Sequence, residues 1–236
     1  MKNTKVYVDF ITEKLKKLLS IDSPTGYTKD AIAWLKEQGF EKIAVDGISK
    51  GSEYALLAAS RFDDISCVIA RVPSYFVSEG MIGRSGPSGA SCWSYHGEKL
   101  NYTPYIIRDF DILKQLRTYG ELNILSYNTG KDVTDESIIP VENIRGPILL
   151  ISTEADTVWP STEQAAHIVS DLQEHDFPYE VKSLTYEKIS HFAIPMRSNT
   201  WLLKLMFRSE RQFPEECAAE RTDLSEQAVD FIQKHW

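Results

Sequence analysis

Residues Lys42–Ser60 read KIAVDGISKGSEYALLAAS, and this stretch decides how the rest of the chain is read. A short apolar run, Lys42–Asp46, leads through two glycines flanking a serine into a helix-forming stretch, Glu53–Ser60. Gly47-Ile48-Ser49-Lys50-Gly51 has the form G-x-S-x-G. The string alone is common, but between a strand and a helix it has the setting of a nucleophile elbow. Such a turn is strained and lifts the serine hydroxyl clear of the sheet. Glycine is expected at Gly47 and at Gly51, where a side chain would clash with a neighbouring strand or helix. A serine at a helix N-terminus also has the main-chain N–H of Lys50 beside it, aimed to donate to a developing oxyanion. The alternative is an ordinary glycine-flanked turn.

The segments around the elbow fit an α/β architecture. Ile65–Arg71 (ISCVIAR), Pro147–Ser152 (PILLIS) and Tyr179–Tyr186 read as further strands, with helices over Thr162–Glu174 and Leu224–His235. Strands alternating with helices predict a mostly parallel sheet covered on both faces. Before the elbow, Phe10, Ile11, Leu15, Leu18 and Leu19 recur at helical spacing, although Val6, Val8 and Phe10 would also suit a strand. After the breaker SIDSPTG, Thr28 caps a second helix with Ala31, Ile32, Trp34 and Leu35 as its apolar stripe, ended by Gly39. Residues 1–40 thus differ in character from the rest of a single domain spanning 1–236. Tyr75–Glu142 carries the glycine- and serine-rich string GMIGRSGPSGAS, several aromatics and one helix near Asp109–Tyr119. It is too long for a simple connection and is expected to form a lid, the alternative being a plain surface excursion.

A serine nucleophile needs a base, and the base needs an orienting acid. In this type of sheet they come in the order Ser, Asp/Glu, His. Asp156, in STEADTVWPS, comes after the strand PILLIS, at the strand end where catalytic groups collect. Glu154 is its rival. His191, in KISHFAIP, comes after the last strand. His96 lies in the lid region, His167 and His175 belong to the helix after Asp156, and His235 is penultimate.

Composition narrows the function classes. The chain has 236 residues, 42% of them hydrophobic, and a formal charge of −8. That suits one domain with a substantial core. A net acidic chain without a basic run is a poor match for nucleic acid. Cys67, Cys92 and Cys217 are few and widely spaced, which fits free thiols in a reducing cytoplasm better than a disulfide framework or a zinc site. No apolar run has the length of a membrane span, and the N-terminus lacks the apolar region of a signal peptide. No cofactor motif is visible.

GISKGSEYALLAAS, CWSYHGEKLNYTPY, IIPVENIRGPILLIS, GPILLISTEADTVWPSTEQA and ISHFAIP, in that order, make the chain from about Thr28 onward resemble one family. This is the C-terminal catalytic domain of the acyl-CoA thioester hydrolase and bile acid-CoA:amino acid N-acyltransferase family. The resemblance implies an α/β-hydrolase fold and a triad falling on Ser49, Asp156 and His191. It also implies acyl transfer from a thioester to the nucleophile, then to water or to an amino acid amine. The N-acyltransferase branch resembles a cysteine variant, so Ser49 favours hydrolysis of a small-molecule acyl thioester. The alternatives are an N-acyltransferase, a generic carboxylesterase or peptidase, and a degenerate non-catalytic domain. Lys50 could meet a phosphate of coenzyme A, against the plainer expectation of a solvated lysine.

Two departures from the family pattern bear on these expectations. No HGG-like loop, the usual source of a second oxyanion donor, precedes Ser49, and the strands that should come before it are missing, as in a truncated or fused hydrolase. Activity is therefore expected to be weak unless another amide fills the gap. The elbow strand becomes an edge, which the N-terminal helices or a second copy of the chain in a homodimer should cover. LLSIDSPTGYTKDAI resembles the start of a zinc aminopeptidase family, but the rest of the chain has none of that family's metal-ligand strings, and no metal site is expected.

Overall fold

A computed structural model describes residues 2–21, 29–82, 86–106, 111–125, 132–195 and 201–235, with side chains from residue 8 onward. The expected cap at Thr28, most of the SIDSPTG breaker and parts of the lid region lie outside the described residues.

Four strands form one parallel sheet in the order β1 (Ile43–Ile48), β2 (Ile65–Arg71), β7 (Ile148–Thr153), β8 (Val181–Tyr186). Three lie on the apolar runs and the fourth within the strand expected at Tyr179–Tyr186. The alternation of side chains along each strand divides the core into two layers. Val68 and Ala70 of β2, with Ile148 and Leu150 of β7, face one layer, which also holds Ala55, Leu56 and Ala59 of α3 (Lys50–Ala59) and Ile168 and Leu172 of α5 (Ser161–Glu174). Cys67 and Ile69, with Leu149 and Ile151, face the other, where Cys217, Leu224 and Phe231 of α8 (Pro214–His235) close it. The centre of the sheet is therefore buried on both faces, as the near-continuous apolar strands β2 and β7 require.

Helix α8 begins ten residues before the expected Leu224, since Pro214 suits a first helical turn. Its first half, PEECAAERTD, shows too little apolar character to be read as a buried helix, because one of its inward positions is the charged Arg221. Two short helices, α6 (Trp201–Met206) and α7 (Arg208–Gln212), precede it, beyond those that the residue spacing predicts.

The segment from Tyr75 to Glu142 begins in the interior. Phe76, Val77, Ser78 and Glu79 are buried. Beyond them come two small antiparallel pairs, β3 (Glu79–Met81) with β4 (Pro87–Ser91) and β5 (Ser94–Tyr95) with β6 (Glu98–Lys99). Helix α4 (Ile112–Tyr119) starts from Asp111, whose carboxylate caps the N–H groups of Leu113 and Lys114, and stops at Gly120 in the left-handed conformation.

At the N-terminus, α1 (Lys2–Leu19) and α2 (Lys29–Glu37) are both helical, so the strand alternative for the first segment is not adopted. They differ in what they cover. Ile32 and Leu35 of α2 pack into the core beside Val45 of β1, whereas Val8, Ile11, Leu15 and Leu19 of α1 are exposed. Strand β1 is the margin of the sheet, with β2 as its strand partner among the described residues.

Candidate active site

The register of the sheet explains why three residues distant in sequence meet. Ile48, Arg71 and Ile151 lie in one row across β1, β2 and β7. The chain segments leaving β1, β7 and β8 at their C-terminal ends therefore emerge side by side. Ser49 comes immediately after β1, Asp156 three residues after β7, and His191 five residues after β8.

Ser49 has φ 57° and ψ −124°, a backbone region that L side chains rarely occupy, and costs about 1–3 kcal/mol of strain. The turn is held from both sides. The Ser49 N–H donates to the Arg71 carbonyl at 3.0 Å, while the Ser49 carbonyl accepts from the N–H groups of Ser52 and Glu53 and from the Ser52 hydroxyl. The two flanking glycines turn out unequal. A Cβ on Gly47 would overlap the carbonyl of Gly51, so nothing larger fits there. A Cβ on Gly51 would meet nothing within 4 Å, which corrects the expectation of a clash on both sides. Only the strand flank is sterically closed, because there the chain doubles back on itself.

The Ser49 hydroxyl lies 2.7 Å from Nε2 of His191, and Nδ1 of His191 lies 2.9 Å from both oxygens of Asp156. The Asp156 carboxylate also accepts from the N–H groups of Val158 (2.9 Å) and Trp159 (3.2 Å), so it stands as an acceptor fixed by the backbone. An imidazole with Nδ1–H donating to that carboxylate leaves Nε2 as the acceptor for the serine proton. Asp156 and His191 are buried and Glu154 is exposed, and it is Asp156, not its rival, that meets the imidazole. The other histidines are engaged elsewhere: His167 stacks on Tyr75, His96 packs against Tyr95, His175 bonds the Asp171 carbonyl, and His235 lies against Phe231.

Several supporting residues escape a reading of the sequence. Trp159 stands edge-on to His191 with ring centroids 5.1 Å apart, and its indole N–H donates to the Val72 carbonyl at 3.0 Å. Val72 itself has φ 44°, a rare conformation for a β-branched residue, next to the arginine that receives the Ser49 N–H. Arg71 is buried and grips Asp46 of β1 with two bonds of 2.8 Å, and its third nitrogen reaches the Ala193 carbonyl at 3.4 Å. It ties β1 to the segment after His191. The sequence signal for Trp159 is its place in the Asp156 string. Arg71 offers only a charge at the end of an apolar strand.

Lys50 meets neither expectation for its side chain. Its ammonium donates to both Glu53 oxygens (2.8 and 3.0 Å) and to the carbonyl and hydroxyl of Ser78 (both 2.8 Å), and lies over the Trp93 ring. Glu53 is fully buried and accepts further bonds from Ser78 Oγ and Trp93 Nε1. Burial alone would lower the Lys50 pKa, but the Glu53 carboxylate and its neighbours outweigh it and hold the ammonium above its ordinary value. This network bolts the Tyr75–Glu142 segment to the first turn of α3, and it occupies the charge that a coenzyme A phosphate would have needed. Among the described residues no group of three or more His, Cys, Asp or Glu side chains is arranged to hold a metal ion, and no helix is long and apolar enough to cross a membrane.

Comparison with solved structures returns hydrolases at low identity. A puromycin-hydrolyzing peptidase of Mycobacterium tuberculosis is 16% identical, with TM-score 0.43 over 70% of this chain and 21% of its own. An esterase of Pyrococcus furiosus is 15% identical, with TM-score 0.42 over 87% of this chain and 63% of its own. An acylaminoacyl peptidase of Pyrococcus horikoshii is 13% identical, with TM-score 0.47 over 91% of this chain and 28% of its own. The chain thus spans between about a fifth and less than two thirds of the length of these structures. No curated protein matches significantly. The family model described as "BAAT / Acyl-CoA thioester hydrolase C terminal" matches residues 24–197, a span that takes in the elbow, Asp156 and His191, and the chain belongs to this family within the α/β-hydrolase superfamily.

Proposed function

We propose that the protein is a serine hydrolase acting on acyl thioesters, with Ser49 as nucleophile, His191 as general base and Asp156 as the acid that orients it. The observation that carries this reading is the continuous relay from Ser49 Oγ through His191 to Asp156, at 2.7 and 2.9 Å, with the serine held in a strained turn at a helix N-terminus. Ser49 attacks the thioester carbonyl while His191 takes its proton; the tetrahedral oxyanion collapses to an acyl-serine as the thiol leaves with that proton. Water, activated by the same imidazole, then releases the acid. The Lys50 main-chain N–H, first in α3, donates to the oxyanion. The thioester preference rests on the family to which the chain belongs.

Labelling with a fluorophosphonate tests the nucleophile: the parent should label and Ser49→Ala should not. Failure of the folded parent to label would sink the reading. Release of free thiol from an acyl-CoA, compared with p-nitrophenyl ester turnover and with amide formation in the presence of glycine or taurine, tests the substrate and the acceptor. Thiol release that glycine or taurine leaves unchanged supports hydrolysis; an amide product would make the protein an N-acyltransferase.

A further inference from the structure

The loop that carries the base is held by acidic groups on the C-terminal helices. Four successive main-chain N–H groups, Glu187 to Ser190, donate to just two carboxylates. Glu220 of α8 accepts from Glu187 and Lys188 (both 3.2 Å on Oε1), and from Lys188 and Ile189 on Oε2 (3.0 and 2.8 Å). Glu210 of α7 accepts from the Ser190 N–H at 3.1 Å and from its hydroxyl at 2.7 Å. Glu210 is buried, and Arg221 of α8, also buried, neutralises it through two nitrogens. The carbonyl side of the loop is fixed as well: Lys188 O accepts from Cys217 Sγ and Ile189 O from Thr153 Oγ1. His191 is the next residue.

A loop between a strand and a short helix has no ladder of its own to satisfy its N–H groups. Here charged acceptors replace it, and such bonds are shorter and stronger than neutral ones. Burying an ion pair of this kind is a poor source of stability, since an apolar pair of equal volume often does as well or better. A pair that an apolar one could replace, and whose carboxylate is spent on the residue before His191, is better explained by what it orients.

We propose that Glu210 and Glu220 are positioning residues for the reaction at Ser49, holding the backbone of residues 187–190 so that the His191 imidazole stands between Ser49 Oγ and Asp156. This rests on the roles proposed for Ser49 and His191. Arg221 acts one step further back, keeping Glu210 charged and aimed.

The test separates position from stability. Glu210→Met/Arg221→Leu replaces the pair with apolar side chains of similar volume, so the thermal midpoint should fall only by what the unpaired Ser190 N–H and hydroxyl cost. Fluorophosphonate labelling of Ser49 should slow by about 100-fold, the scale of a roughly 1 Å misplacement. The nitrogen-15 shifts of the His191 ring, which report its tautomer with or without turnover, should change from the Nδ1–H form to a mixture. Glu220→Ala, on the rim of the same loop, should give the same changes to a smaller degree. Parental labelling and parental ring shifts in the folded double variant overturn the proposal, and Glu220→Ala decides in the same way if the double variant does not fold. A parent that does not label overturns the catalytic reading instead; the ring shifts then decide whether the carboxylates position His191.

Discussion

The two strands that deliver Ser49 and Asp156 are built to different standards. Every residue of β7 is buried, with β2 and β8 as neighbours, and the turn after it leads directly to Asp156. Strand β1 is the margin of the sheet; of its six residues only Ile43 is buried and Asp46 is exposed. A strand enclosed on both sides needs no special device to aim the residues beyond its C-terminal end. A strand on the margin does, and β1 has two. Arg71 reaches across from β2 to grip Asp46, and the Lys50–Glu53–Ser78 network fixes the first turn of α3 from the other side. The acid follows an enclosed strand, whereas the serine, like the loop before His191, is steadied by polar clamps.

Breaking the relay should give the largest effect. Asp156→Asn keeps the shape but favours the wrong imidazole tautomer, and labelling or thioester turnover should fall by about 10,000-fold. An undiminished rate would mean that Asp156 is structural. The contrast between strands is sharpened by truncating one apolar residue in each. Leu150→Ala in β7 should cost about 2–5 kcal/mol in urea unfolding. Val45→Ala in β1, only partly buried, should cost clearly less. Equal costs would erase the distinction between the two strands.

The acid side also predicts a pH dependence. Burial alone would push the Glu210 carboxyl up, but the bonds and charge of Arg221 and the Ser190 bonds outweigh it and hold it below its ordinary value. Glu220 and Cys217 face the same loop. A carboxyl with a depressed folded pKa stabilises fully above its unfolded pKa and stops doing so as pH falls through the folded one. The parent should therefore lose part of its stability below about pH 4, the ordinary glutamate range, and Glu210→Gln should lose less over the same interval. The smallest effect belongs to the helix flank of the elbow, and the strand flank is its opposite. Gly51→Ala, with open space and no left-handed backbone, should change stability by only about 0.4–1 kcal/mol, in the stabilising direction. Gly47→Ala cannot be accommodated without moving the turn, and should be recovered folded poorly or not at all.

Much of this architecture is legible in the sequence, for identifiable reasons. The central strands β2 and β7 are buried on both faces, so they announce themselves as short apolar runs. The elbow has a steric signature at Gly47, and the order Ser49, Asp156, His191 reflects the order of strand ends. What escapes is whatever tertiary contact alone decides. Arg221 makes half of α8 look like a surface helix, because a buried charge reads as an exposed one until its partner is known. Lys50 looks like a solvated helix-start lysine until Glu53 and Ser78 meet it. The short strands β3 to β6 lack any periodicity long enough to register. Gly51 matches the motif without the steric need the motif suggests.

The buried thiols give the apolar layer beneath α8 a means of being timed. Cys67 in β2 and Cys217 in α8 line that layer, and burial pushes their thiols up to about 11 and about 12 respectively. Closed, both are protonated and out of reach of an alkylating reagent. Each turns reactive only when its surroundings open and the thiol returns to about 8.5. Their alkylation rates are thus two clocks built into the native chain, one counting openings of the sheet and the other departures of the helix that braces the loop before His191. If the helix clock runs faster than the sheet clock, α8 breathes without the core, and the loop before His191 breathes with it.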